Sequence, residues 1–197
     1  MVRPDLEIIR ERIPPGSRVL DLGCGDGTLL ANLRDTLNVT GYGLEIDQEN
    51  IARCVEKGVN VIRQDIDEGL GNIADNRFDI VVMSQALQAV QHPERILAEM
   101  LRVAGEAIIT FPNFGHWRIR SLLLFHGRMP QSPLMPYEWY NSPNIHLCTV
   151  KDFEQLCTEQ GHRILERELM DRHHKGGPVT RWWPNLFGEL AIYRVAR

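Results

Sequence analysis

Three closely spaced glycines and one preceding acid have the types and order needed to bind a small polar ligand. Gly23, Gly25 and Gly27 form a G-x-G-x-G turn, and Asp21 lies two residues before it. Glycine permits positive φ and lets a ligand approach more closely than a Cβ would allow. A dinucleotide fingerprint would place its third glycine where Thr28 stands, so the pattern requires no pyrophosphate. The turn predicts a site for the amino-acid part of a ligand and its ribose, with Asp21 accepting from an ammonium group.

Two further acids follow at positions that would complete a nucleoside site. Glu45 ends a strand-like segment, where a carboxylate can accept both hydroxyls of a ribose. Asp65 ends the next one and can accept from an adenine amino group, while the N–H of Ile66 can serve a ring nitrogen. Taken singly, Glu45 and Asp65 have an ordinary alternative as helix N-caps or solvated loop carboxylates. Their order after the glycine turn favours a nucleoside-binding site.

The elements that must position these residues alternate between strand and helix. Short apolar runs predict buried strands, and apolar residues at helical spacing follow them. This alternation predicts an α/β fold with a parallel sheet, whose strand ends bring the acids together. The predicted strands are 18–22, 39–46, 59–63, 78–83 and 107–111, and the predicted helices are 1–12, 28–33, 48–57 and 94–102.

The second half of the chain has a different composition. Residues 112–148, here called the cap segment, hold five of the eleven prolines and two of the four tryptophans. They predict a cap inserted after the fifth strand. Thr149 and Asp152 predict a capping box for a helix through Cys157. Strands at 164–170 and 189–195, separated by a Gly/Pro/Trp-rich turn, would complete the sheet.

Three stretches resemble the motifs of class I S-adenosylmethionine-dependent methyltransferases: Val19–Gly27, Gly43–Asp47 and Phe78–Leu87. The resemblance implies a Rossmann-like, seven-stranded, mostly parallel sheet of order 3-2-1-4-5-7-6, with the last strand antiparallel. It also implies binding of S-adenosylmethionine or S-adenosylhomocysteine, with Ser84 and Gln85 bordering the methionine end. The expected cofactor-binding residues are Asp21, Gly23, Cys24, Gly25, Gly27, Glu45, Ile46, Asp65, Ile66, Ser84 and Gln85.

A narrower resemblance extends over nearly the whole chain. Stretches similar to the MetW family of methionine biosynthesis proteins are Gln64–Gly69, Ser84–Gln88, Phe111–Arg118, Gly127–Pro130, Pro136–Asn144 and Trp182–Leu186. That family is associated with the homoserine O-acyltransferase MetX, and the resemblance implies support of its activity. The resemblance therefore implies MetX as a partner.

Whether the chain also transfers methyl groups stays open at this point. Methyl transfer needs positioning of donor and acceptor, plus a base when the acceptor is protonated. Many small-molecule methyltransferases carry a histidine where this chain has Ala89, so no catalytic residue is assigned. Candidate bases elsewhere are His92, His116, His146 and Tyr137. The alternative is a surface for a partner enzyme, built from Trp117, residues 122–125, Met129, Met135, Trp139, Tyr140, Trp182 and Trp183.

The composition argues against several other classes of protein. A net charge of −4 and a pI of about 6.0 argue against nucleic-acid or anionic-membrane binding, and no apolar run approaches a membrane span. The first eleven residues have no apolar core, so no signal peptide is expected. Four cysteines without CxxC or zinc spacing predict reduced thiols in the cytoplasm and no bound metal. We expect one domain over residues 1–197, with a homodimer as a further assembly.

Overall fold

Seven strands form one sheet in the computed structural model, which describes residues 4–171, 180 and 182–197. The strands are β1 Arg18–Leu22, β2 Thr40–Glu45, β3 Val61–Arg63, β4 Phe78–Ser84, β5 Ala104–Pro112, β6 Arg163–Met170 and β7 Leu190–Ala196. Their order is β3-β2-β1-β4-β5-β7-β6. Strands β1 to β5 pair in parallel, and β7 runs antiparallel to both β5 and β6. The predicted fold class and strand order are confirmed.

The helices follow the strands as the alternation predicted. They are α1 Pro4–Glu11, α2 Thr28–Leu37, α3 Gln48–Glu56, α4 Pro93–Val103, α5 Trp117–His126, α6 Val150–Glu159 and the short α7 Pro184–Phe187. The predicted capping box forms at α6, because Thr149 and Asp152 each accept a hydrogen bond from the other's backbone N–H. Within the described part of the chain, no helix is long and apolar enough to cross a bilayer. Residues 1–3 of the first predicted helix, and most of the predicted turn before β7, lie outside the described residues.

The core lies on both faces of the sheet because alternate residues of a strand point to opposite sides. Val81 and Met83 of β4 belong to a cluster with Leu97 of α4 and Phe153 of α6. Their neighbours Ile80 and Val82 belong to the cluster on the other face, with α1 and α2. Burial on both faces explains why β4 reads as a continuous apolar run. The sheet therefore holds the strand ends that carry the candidate site in fixed positions.

Asn113 anchors the segment that follows β5. Its side-chain oxygen accepts from the N–H groups of Gly115 and Val150 at 2.9 and 3.1 Å. Its amide nitrogen donates to the carbonyls of Gly188 and Asn185 at 2.7 and 3.1 Å. The side chain is buried, so these four bonds satisfy its amide group. One buried residue thus joins the beginning of the cap segment to α6 and α7.

Candidate functional site

The glycine turn after β1 is fixed to the neighbouring strand by its backbone. The N–H groups of Gly23 and Cys24 both donate to the carbonyl of Leu44, at 2.9 and 3.1 Å. Gly23, Gly25 and Gly27 have φ values of 69°, 55° and 74°, the left-handed region that glycine adopts without a steric penalty. The turn is therefore ordered by β2 as well as by its own glycines.

Gly25 and Gly27 lack side chains for different reasons. A Cβ on Gly27 would lie 2.9 Å from the Sγ of Cys54, so this glycine makes room for α3. A Cβ on Gly25 would have no heavy atom of the described residues within 4 Å. Gly25 therefore faces open space, which is the arrangement expected where a ligand approaches the backbone.

The Glu45 carboxylate joins β2 to the glycine turn. Its Oε2 accepts from the N–H of Gly25 at 2.8 Å, and its Oε1 accepts from the N–H groups of Ile46 and Asp47 at 2.8 and 2.9 Å. A carboxylate has about four acceptor positions, and three are filled here. One position is open for a ribose hydroxyl, and a second hydroxyl would have to displace a backbone N–H. Ribose binding by Glu45 stays a prediction, with this restriction added.

Asp65 and Ile66 lie at the end of β3. Asp65 is exposed and caps the short 3-10 helix Ile66–Glu68, with its Oδ1 accepting from the N–H of Asp67 at 2.9 Å. A Cβ on Gly23 would lie 3.7 Å from the Cδ1 of Ile66. Ile66 therefore lies beside the glycine turn, although two strands separate them in the chain. Asp65 thus acts as an N-cap in this structure, as the alternative interpretation predicted. A contact of Asp65 with adenine stays a prediction.

A buried acid of α1 lies at the end of β4. Asp5 is 1% exposed, and its Oδ2 accepts from Ser84 Oγ at 3.1 Å and from Gln85 Nε2 at 3.0 Å. Gln85 has a φ of 55°, and its N–H donates to Thr110 Oγ1 at 3.1 Å. Asp5 had no sequence signal, because acids are common in the first turn of any helix. The first helix thus closes over the end of the site where Ser84 and Gln85 were predicted.

A cavity of about 470 Å³ runs along the glycine turn. Its volume lies within the range of small-molecule sites, roughly 300–1,000 Å³. Five predicted residues line it: Asp21, Gly23, Cys24, Gly25 and Ser84. The other lining residues are Leu6, Asp26, Thr28, Leu29, Asn50 and Arg53, which the sequence analysis did not identify. Gly27, Glu45, Ile46, Asp65, Ile66 and Gln85 are not among the described lining residues.

The charged groups on one wall of the cavity are paired with each other. The ammonium of Lys57 lies 2.5 Å from the Oδ2 of Asp26 and 2.7 Å from the Oγ1 of Thr28. Burial alone would raise the pKa of Asp26, but the hydrogen bonds from Lys57 and Thr28 hold that pKa below its usual value. Arg53 similarly pairs with Glu49 at 2.5 Å. This wall is therefore polar but nearly balanced in charge.

Two thiols lie beneath the turn. The sulfur atoms of Cys24 and Cys54 are 3.9 Å apart, and Cys54 donates to the carbonyl of Gly25 at 3.2 Å. Burial raises the pKa of both thiols, so they stay protonated and unreactive at neutral pH. Among residues 4–171, 180 and 182–197, no group of three or more potential ligands is placed to hold a metal ion. Cys24 and Cys54 therefore pack beneath the turn, and contact of Cys24 with a cofactor stays a prediction.

The four candidate bases lie elsewhere in the structure. His92 and His146 are held near Glu94 and the carbonyl of Gln91, at 3.5 and 3.1 Å, and Tyr137 is half exposed. His116 is buried at the start of α5, and burial together with Arg118 lowers its pKa. None of the four is among the described residues that line the cavity. The structure therefore places no candidate base on the described lining of this cavity.

Comparison with known proteins assigns the chain to a family. A family model described as methionine biosynthesis protein MetW matches residues 3–195. The chain is 42% identical to the bifunctional methionine biosynthesis protein MetXA/MetW of Rhodopirellula baltica, over 98% of this chain and 32% of that protein. It is 30% identical to the ubiquinone biosynthesis O-methyltransferase of Erwinia tasmaniensis, over 50% of this chain and 43% of that enzyme. The chain thus spans less than half the length of these relatives.

Solved structures agree on the fold. An S-adenosylmethionine-dependent methyltransferase from Mesorhizobium loti superposes with a TM-score of 0.72, at 18% identity, over 99% of this chain and 98% of the other. A possible histamine N-methyltransferase from Thermotoga maritima gives a TM-score of 0.68 at 18% identity, over 98% and 87%. At these identities the likeness shows the fold alone. With the match over residues 3–195, we conclude that the chain belongs to the MetW family of methionine biosynthesis proteins and has the fold of the S-adenosylmethionine-dependent methyltransferases.

Proposed function

We propose that this chain supports the activity of a homoserine O-acyltransferase of the MetX type, at the committed step toward methionine. The observation that carries the proposal is the 42% identical relative, whose name assigns MetXA and MetW to one protein. Joining two proteins in one chain raises their effective concentration for each other. This chain corresponds to 32% of that relative, so the acyltransferase would be a separate partner or a further part of the same protein.

We propose S-adenosylmethionine or S-adenosylhomocysteine as the ligand of the cavity. The open space at Gly25 and the buried Asp21 beside it fit a ligand that carries an amino-acid end. Asp21 would hold the ammonium group, and Glu45 would accept one ribose hydroxyl. When bound, S-adenosylmethionine supplies a methyl group on a cationic sulfonium. The contribution of α1 would be to exclude water from the end of the cavity at Ser84.

Methyl transfer to a small molecule is the second candidate function. The ordered glycine turn and the cavity favour it, since positioning is most of what this reaction requires of a protein. Two observations weigh against it. None of the four candidate bases is among the described lining residues, and Asp5 of α1 covers the strand ends beside Ser84. We therefore rank support of the acyltransferase first.

Three further proposals concern the domain organisation, the cellular compartment and the oligomeric state. We propose one methyltransferase-like domain over residues 1–197 with the cap segment as its insertion, since β7 pairs with both β5 and β6. The four free cysteines support a reducing compartment, and we propose the cytoplasm. A homodimer is a further assembly that size measurements of the purified chain would detect.

Two assays on purified proteins test the proposed function. Co-purification of the chain with the homoserine O-acyltransferase of the same organism, followed by a homoserine acylation assay, should show binding and a higher rate. An acyltransferase that neither binds the chain nor changes its rate would refute the proposal. Incubation with methyl-labelled S-adenosylmethionine and cell extract tests the second candidate, which predicts a labelled small molecule.

A further inference from the structure

Helix α5 leaves most of its apolar side chains outside the core. Over its ten residues, all of them described, only Ile119 is buried. Leu124 and Phe125 are 78% and 77% exposed, and Leu123 and Trp117 are also exposed. Burial of apolar side chains stabilises a packed helix, so α5 gains little stabilisation from the exposed side chains. Contiguous exposed apolar residues of this kind mark binding surfaces.

Helix α5 and the residues on either side of it carry basic but no acidic side chains. No Asp or Glu occurs between Glu106 and Glu138, while Arg118, Arg120 and Arg128 fall inside that interval. The whole chain, by contrast, has a net charge of −4. The guanidinium of Arg118 lies 5.9 Å from the ring centre of Trp117. We define the α5 surface as Trp117, Leu123, Leu124 and Phe125 together with the three exposed arginines on or next to the helix; it combines apolar and cationic side chains.

A second exposed aromatic pair lies close to the beginning of α5. A Cβ on Gly115 would lie 2.4 Å from the Oδ1 of Asn185, so α7 packs against the turn that leads into α5. Trp182 and Trp183 come directly before α7 and are 77% and 61% exposed. Tryptophan and arginine are the residue types most enriched among the energetic centres of protein interfaces. These tryptophans add exposed aromatic side chains next to α7.

We propose that the α5 surface is where the acyltransferase partner docks, through an apolar groove edged by carboxylates. This inference rests on the proposed function, which identifies the partner. Charge complementarity to the arginines indicates that the partner's groove carries carboxylates. A second copy of this chain fits poorly. Face-to-face contact would bring the arginines of two copies together without any carboxylate from residues 107–137 to pair them. The partner's groove would pair with Arg118 and Arg128 and cover Leu124 and Phe125.

Three variants test the docking surface by calorimetry of the chain with the purified acyltransferase. Leu124→Asp, Phe125→Ser and Arg128→Glu change exposed positions, so the fold should be retained. Each should weaken binding by roughly tenfold or more, as substitutions at interface centres do. Leu165→Asp, at an exposed apolar position on β6, is the matched control and should bind like the unsubstituted chain. Affinity for S-adenosylmethionine should be the same in all four variants.

The outcomes separate this inference from the proposed function. If the unsubstituted chain binds the acyltransferase and the three variants bind equally well, the α5 surface is refuted and the proposed function stands. If the unsubstituted chain does not bind, the proposed function fails, and the docking surface fails with it. A dimer, or binding to anionic vesicles, that Leu124→Asp abolishes would assign the surface to a second copy or to a membrane and would overturn the inference.

Discussion

The backbone N–H of Gly25 donates a 2.8 Å hydrogen bond to the Oε2 of Glu45, linking the glycine turn after β1 to the end of β2. The residue predicted to bind a ribose is therefore also the residue that holds the turn in shape. Because Oε1 of the same carboxylate accepts from Ile46 and Asp47, the end of β2 and the turn form one connected unit. Substitutions in this unit should affect ligand affinity and the free energy of unfolding together.

Gly25→Asp tests the proposed cofactor site. The new carboxylate would occupy the open space beside the turn, and the left-handed φ of 55° would cost about 1–2 kcal/mol. A side chain in that space would displace the amino-acid end of the ligand. Hydrogen bonds to a charged group contribute about 1.5–3 kcal/mol each, so affinity for S-adenosylmethionine should fall on the order of 100-fold or more. Calorimetry measures this. Gly161→Asp has the same backbone strain at φ 72° and should keep its affinity; equal affinity in both variants would refute the site.

Asp5→Ala tests the closure of α1 over the site. The substitution removes the acceptor for Gln85 Nε2 and one of the partners of Ser84 Oγ, which keeps its contact with Thr110 Oγ1 at 3.3 Å. Hydrogen bonds to a charged group contribute about 1.5–3 kcal/mol. We expect the free energy of unfolding to fall by that amount in urea titrations. Affinity for S-adenosylmethionine should also fall, because the helix that covers the cavity is loosened. Glu7→Ala, at an exposed position of the same helix, should change neither quantity; a matching loss there would contradict a specific role for Asp5.

Gly43→Ala tests how tightly β2 packs against the glycine turn. The added Cβ would lie 2.3 Å from the Sγ and 2.8 Å from the Cβ of Cys24. Overpacking of this kind costs about 1–3 kcal/mol, which thermal unfolding would detect as a lower Tm. Gly105→Ala has no heavy atom of the described residues within 4 Å of its new Cβ and should be neutral. The double variant Gly43→Ala/Cys24→Gly should recover part of the loss, and no recovery would place the strain elsewhere.

His116 predicts a pH dependence of stability. Burial and then Arg118 lower the pKa of its imidazole, so the unfolded chain takes up a proton at a higher pH than the folded chain does. The stabilisation is complete above the unfolded pKa and is lost as the pH falls toward the folded pKa. His116→Gln should therefore reduce the fall in unfolding free energy between about pH 7 and pH 5. A slope in His116→Gln equal to that of the unsubstituted chain would contradict the prediction.

Local patterns were enough to predict the sheet and the turn. The apolar run predicted β4, and the glycines at 23, 25 and 27 predicted the turn. Both structures depend mainly on neighbouring residues, and both lie where expected. Boundaries were less accurate: β5 begins at Ala104 and not at residue 107, and β3 begins at Val61 and not at residue 59. Helix α5 was not predicted, because its own apolar residues do not recur at helical spacing.

The missed parts of the candidate site depend on contacts distant in sequence. Asp5 reaches Ser84 across 79 positions, and Cys54 lies beneath Gly27 from a different helix. Asn50 and Arg53 line the cavity only because α3 packs beside the turn. No spacing within one element encodes such contacts, so the sequence located the turn but not the wall opposite it.

The acylation rate of the partner enzyme tests the central claim most directly. A fixed amount of purified homoserine O-acyltransferase is titrated with this chain, and the rate of homoserine acylation is measured at each step. The proposed function predicts a rate that rises and then saturates as the complex fills. A rate that stays constant across the whole titration would contradict it.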